Sequence, residues 1–162
     1  MRTVQKLLIY LLTAFLLQMA RWSKVVSMGS EPTRSQPFAA RIAPWLSVAD
    51  ATQAVDYYKT AFGAVEVERL EDEAGSVVVA QLSIGGATFW VQQDGESSPE
   101  ALGGRSPVRM ILTVDDPDAV FAQAIAAGAT EVAPITEGHG WRVGRVADPS
   151  GHDWEIGKPL LS

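Results

Sequence analysis

The sequence predicts an α+β domain built from two tandem βαβββ units. Three observations predict it. The chain is similar to itself at an offset of 65–66 residues, each half carries one capped amphipathic helix, and strand-like runs follow each helix. Leu46-Ser47-Val48-Ala49-Asp50 matches Leu112-Thr113-Val114-Asp115-Asp116. Ala61-Phe62-Gly63-Ala64-Val65-Glu66-Val67 matches Ala126-Ala127-Gly128-Ala129-Thr130-Glu131-Val132. Ile84-Gly85-Gly86 through Val91 aligns with Pro149-Ser150-Gly151 through Ile156.

Each unit opens with a short apolar strand that ends at an aspartate. Asp50 caps the first helix, with Gln53 at the capping-box spacing. Asp116 caps the second, with Pro117 at the first helical position. The first helix places Ala54, Val55, Tyr58, Ala61 and Phe62 on one stripe, and the second places Val120, Phe121, Ala124, Ile125 and Ala127. Gly63 and Gly128 stop the helices as left-handed caps. Strands then run over Val65–Leu70, Val77–Ile84 and Ala87–Gln92, and over Glu131–Ile135, Trp141–Val146 and Asp153–Ile156. Glu73-Ala74-Gly75-Ser76 and Asp148-Pro149-Ser150-Gly151 supply turns.

The organisation expected from this pattern is one domain over residues 41–158. Its first unit spans 41–93, a linker 94–107, and the second unit 108–158. Residues 28–40 read as a flexible lead-in rich in Ser, Pro and small polar residues. Residues 1–27 form an apolar N-terminal segment. Arg2 and Lys6 precede LLIYLLTAFLL, which has the grammar of a signal peptide or short anchor but lacks a clear cleavage site. That run falls short of the about 20 residues a spanning helix needs. Met28 also starts an ordinary-looking domain, which would make residues 1–27 a mis-chosen start. The reading favours a cytoplasmic domain; export or membrane anchoring follows only if residues 1–27 are genuine.

Charge and composition exclude several classes. The chain has 162 residues, 47% hydrophobic and 20% charged, which fits an ordinary globular domain. It has no cysteine, so disulfides, thiolate metal sites and a cysteine nucleophile are excluded. The net charge of −6 divides into +4 over residues 1–40 and −10 over the rest. So acidic a domain argues against a nucleic-acid partner and permits cationic ligands. No P-loop, dinucleotide fingerprint or nucleophile elbow is present.

The paired units, the aspartate-terminated strands, AVDYYKTAFGA and above all GRVADPSGHDWEIG resemble the vicinal oxygen chelate superfamily. That group includes glyoxalase I, fosfomycin-resistance proteins, extradiol dioxygenases and bleomycin-resistance proteins. AVDYYKTAFGA is also similar to the branch named for a phosphonate-operon protein. The resemblance covers residues 41–158. It implies that the two units form a curved, half-open mixed β-sheet cleft, often completed in a homodimer, with a divalent metal held by residues of the first and last strands.

The four positions that the resemblance assigns to metal ligands read Ala43, Trp90, Arg109 and Glu155. Of these only Glu155 can bind a metal, because alanine has no donor atom, indole offers only an N–H, and guanidinium is a cation. No metal or other cofactor is therefore expected; if a divalent metal binds, Glu155 holds it. The resemblance implies instead that Arg109 and Glu155 face each other across the cleft as an ion pair. Arg109 could also hold an anionic ligand group. Strand alternation puts Trp45 and Ser47 on the face of Ala43, Ile111 and Thr113 on the face of Arg109, and Gln92 beside Trp90.

The ligand-binding set is thus Arg109, Trp90, Trp45, Glu155, Gln92 and Trp141. The catalytic candidates are Glu155 and His139; the latter lies in the Gly-flanked loop Glu137-Gly138-His139-Gly140-Trp141. His152, in the DPSGH turn, reads as a packing residue. The function favoured is binding of a small organic ligand without metal, by a homodimer. Three alternatives stay open. One is a metal-dependent lyase, transferase or dioxygenase whose displaced site gathers Glu155, His139, Glu137 and Asp153. Another is a metal-free enzyme with Arg109 stabilising charge and Glu155 as base. The last is an interaction module whose cleft is filled by its own side chains.

Overall fold

The computed structural model describes residues 41–97 and 108–160. The segments 1–27 and 28–40 and most of the 94–107 linker lie outside the described residues, as do the readings made of them. Among the described residues no helix is long and apolar enough to cross a membrane.

The elements follow the repeat. The first unit has β1 (Trp45–Val48), α1 (Ala51–Phe62), β2 (Val65–Glu71), β3 (Val77–Ile84) and β4 (Ala87–Gln93). The second has β5 (Arg109–Thr113), α2 (Pro117–Ala126), β6 (Thr130–Gly138), β7 (Trp141–Ala147) and β8 (Asp153–Pro159). Each unit makes its own four-stranded sheet, in the orders β1-β4-β3-β2 and β5-β8-β7-β6. In both, the first and last strands pair in parallel and the other pairs are antiparallel. The α+β fold with duplicated βαβββ units therefore stands, as two mixed sheets that are not closed.

The helix starts form as their sequences dictate. Asp50 accepts from the Gln53 amide at 2.9 Å and Asp116 from the Ala119 amide at 3.1 Å. Gly63 ends α1 at φ 63°, where its amide reaches the Lys59 carbonyl. The end of α2 differs from expectation. Ala127 caps it in the right-handed region, and Gly128 follows at φ 115°. Ile125 is 36% exposed instead of joining the buried stripe. The helix ends at Ala126, two residues before the glycine; Phe121 and Ala124 are buried, and Val120 and Ala127 pack partly buried against the core.

Both helices lie against the inward faces of the sheets. Ala54, Val55, Tyr58, Ala61 and Phe62 of α1 are buried with Leu46, Val48, Phe89 and Val91. The two units share this core through Trp154 of β8. Its ring centroid lies 4.7 Å from Phe62, 5.5 Å from Tyr58 and 5.8 Å from Phe89. A buried carboxylate ties the same seam. Asp148 accepts from Tyr58 Oη at 2.6 Å, Trp154 Nε1 at 2.9 Å, and the amides of Ser150 at 2.9 Å and His152 at 3.0 Å. Burial pushes the Asp148 carboxyl up. Hydrogen bonding and charge from His152, with the Tyr58 hydroxyl, outweigh it and hold the group below its usual range.

Candidate functional site

Alternation along the strands separates a core face from an open face in each sheet. On β1 and β4, Leu46, Val48, Phe89 and Val91 point inward and are buried. Trp45, Ser47, Trp90 and Gln92 occupy the open face. Parallel pairing sets Trp45 opposite Trp90 and Ser47 opposite Gln92. The two indoles stack at 5.8 Å with 24° between planes, and Trp45 Nε1 donates to Gln92 Oε1 at 2.7 Å. Such a pair adds about 0.5–1.5 kcal/mol beyond its buried area. The 53%-exposed Trp45 is therefore held in place. Gln81 stands across from Trp90 on β3 and adds a polar group. Gln93 points elsewhere: its side chain accepts from the Ala51 amide and donates to the Ala49 carbonyl at the start of α1.

Ala43 is not on this strand. It precedes β1 and is exposed, because the parallel ladder begins where the Trp90 amide donates to the Pro44 carbonyl.

The open face of the second sheet carries charge. Arg109, Ile111 and Thr113 of β5 share it with Asp153 and Glu155 of β8 and with Trp141, Val143 and Arg145 of β7. The partners facing inward are Trp154, Ile156, Gly144 and Val146, all buried. Arg109 stands opposite Asp153, while Glu155 stands between Ile111 and Arg145. Arg109 Nη1 donates to Glu155 Oε2 at 2.9 Å. The ion pair expected for these residues is present, but between neighbouring strands of one sheet rather than across a cleft. The sheet register places the two on adjacent strands, one diagonal step apart. With side chains 53% and 28% exposed, the pair contributes about 0–1 kcal/mol.

Arg145 is a member of this face that the sequence reading missed. Its signal was available: a strand that starts at Trp141 puts 141, 143 and 145 on one face.

The metal implied by the family resemblance does not fit these residues. Ala43, Trp90 and Arg109 offer no acceptor, and the Glu155 carboxylate is engaged by Arg109. Among the described residues no three His, Asp or Glu side chains group closely enough to hold a metal ion.

His139 lies in a loop of only two residues. β6 continues to Gly138, and His139 and Gly140 take φ 51° and 79° as a two-residue hairpin turn. Glu137, beside it, accepts from Arg142 at 3.2 Å. Arg142 in turn grips Asp118 in bidentate fashion at 2.6 and 2.5 Å, and these hydrogen bonds hold the Asp118 carboxyl below its usual range. The hairpin tip lies beyond Trp141, which is itself four residues, roughly 13 Å, along β7 from Arg145. So Glu137 and His139 do not converge on Glu155. His152 is buried in the turn before β8, with Nδ1 3.5 Å from Asp148 Oδ1.

An open hollow of about 640 Å³ lies at the far end of β5 and β8, lined by Thr113, Val114, Asp115, Lys158, Pro159 and Leu160. Its cation is committed, since Lys158 Nζ donates to the Asp115 carbonyl at 2.9 Å. It lacks the converging polar groups of the Arg109 face.

Comparison with known proteins adds to the geometry. A family model described as a glyoxalase-like domain matches residues 43–157. An uncharacterised protein of Mycobacterium bovis is 42% identical over 127 residues, covering 74% of this chain and 83% of that protein. The crystal structure of TioX from Micromonospora sp. ML1 is similar with a TM-score of 0.61 and 31% identity, covering 75% of this chain and 100% of that one. The fosfomycin resistance protein FosX from Mesorhizobium loti shares the fold, with a TM-score of 0.58 and 18% identity over 76% of this chain and 95% of its own.

Proposed function

This chain belongs to the glyoxalase-like domain family of the vicinal oxygen chelate superfamily, and from that premise we propose that it binds a small organic ligand without the superfamily's metal. The observation that carries the reading is the open face of the first sheet. There the stacked Trp45–Trp90 pair, locked by Gln92, stands at a position where a ligand set would need a metal-binding side chain. Rigid aromatic surface with a few placed polar groups suits an organic ligand. On the second sheet, Glu155 is held by Arg109, which supports a binding role over a role as free base or lone metal ligand.

The test is titration of the full chain with a panel of aromatic compounds, followed by tryptophan fluorescence, with and without a chelator, alongside elemental analysis. Saturable quenching that survives chelation is expected, and Trp90→Ala should weaken it at least about tenfold, as loss of an aromatic anchor does. Stoichiometric metal whose removal abolishes binding would overturn the reading.

The binding unit we propose is a homodimer. Among the described residues β1 and β5 are edge strands; Ile42, just before β1, is 100% exposed and Ile111, on β5, is 70% exposed. Exposed apolar edges of this kind invite pairing with another chain. A second copy brings equal edges and covers that surface on both partners. Light scattering should give twice the chain mass, and Ile111→Glu should shift it toward the monomer. A monomeric wild-type chain at micromolar concentration would remove this part of the proposal.

A further inference from the structure

We infer that the ligand carries an anionic group and that Arg145 receives it. The inference deepens the binding reading above and rests on it. Three described arginines on strands already hold carboxylates: Arg69 with Glu66 and Glu71, Arg109 with Glu155, and Arg142 with Asp118 and Glu137. Arg145 is half-buried in the middle of β7 and has no ion pair or hydrogen bond from its side chain among the described residues.

Its surroundings explain why. Glu155 stands directly opposite on β8, but its carboxylate turns to Arg109. On the other side Ala133 of β6 stands opposite and has no polar side chain. Asp153 is one step further along β8, opposite Ala147, and is only 7% exposed. A guanidinium that gives up part of its water without gaining a partner is costly to the fold, and an arriving oxyanion removes that cost.

The same face supplies an apolar bed. Trp141 and Val143 precede Arg145 on β7 and share its face of the sheet. A planar fork next to apolar surface fits a compound with a flat hydrophobic body and a carboxylate, sulfonate or phosphonate. The domain as a whole carries −10, so this local cation selects against the net field, and bulk attraction does not account for it.

The experiment compares 2-naphthoate with its neutral isostere 2-naphthamide by calorimetric titration of the full chain. Wild type should bind the acid at least about tenfold more tightly than the amide, as a charge-assisted hydrogen bond gives. Arg145→Gln should abolish that preference while keeping affinity for the amide. Arg145→Lys should restore part of it, since it returns the charge without the fork. Equal affinities in wild type, or a preference retained in Arg145→Gln, would overturn the inference and leave the binding reading intact. Failure of both compounds to bind would overturn the two together.

Discussion

Replacing Asp148 by alanine is expected to cost about 3–5 kcal/mol, because it removes four hydrogen bonds to a buried carboxylate at once. The Tyr58 hydroxyl and the Trp154 N–H would be left buried without their acceptor. Against a domain stability of about 5–15 kcal/mol that is a large fraction. The melting temperature should fall by about 10–20 °C. Asp148→Asn keeps the shape and one acceptor, so it should lose less.

The pH dependence separates charge from shape. Hydrogen bonding and charge from His152, with the Tyr58 hydrogen bond, overcome burial and hold the folded carboxyl below its ordinary value of 3.8. For a depressed acid, the stabilisation is fully present above the unfolded value and is lost as pH falls through the folded one. The gap between wild type and Asp148→Asn should therefore narrow as pH falls below about 4. Urea denaturation of both proteins from pH 3 to 8 reads it directly. A gap that widens in acid would mean that the Asp148 charge does not stabilise the fold. Tyr58 has the opposite sign. Burial, then the Asp148 charge, raises its pKa well above 10, so its contribution holds below pH 10 and fades in stronger alkali.

The second large effect is expected at Trp154. It is 2% exposed and belongs to the second unit, yet its ring contacts are Tyr58, Phe62 and Phe89 of the first. Trp154→Ala should cost about 4–5 kcal/mol, from lost burial and the cavity left behind. Trp154→Phe should recover most of that except the hydrogen bond to Asp148. Because the two residues share that bond, the Asp148→Ala/Trp154→Ala double variant should lose less than the sum of the singles. Thermal and urea unfolding of the four proteins closes the cycle. Strict additivity would place the two residues in separate networks.

These two residues also mark how far the sequence could be read. DPSGHDWEI was legible as a turn followed by a strand. That Asp148 is the acceptor joining the units was not legible, because its partner Tyr58 lies 90 residues away. The family resemblance located Ala43 and Trp90, and alternation from them gave Trp45 and Gln92 without knowledge of a partner strand. Arg109 and Glu155 were identified, but their meeting within one sheet depended on a register that local sequence does not encode. The loop at His139 was read as longer than it is, because nothing local shows that β6 continues through Glu137 and Gly138.

The sequence by itself determined the local terms: the repeat, the two aspartate caps, the Gly63 stop, and which residues alternate toward the core. These are set by backbone preferences and periodicity within a few residues. Only the tertiary structure decided which polar groups find one another. Glu155 went to Arg109, which among the described residues leaves Arg145 without a carboxylate, and Asp148 went to Tyr58 and Trp154. Ion pairs and buried hydrogen bonds depend on distances of about 3 Å between side chains remote in sequence, and strand register and helix packing alone set those distances.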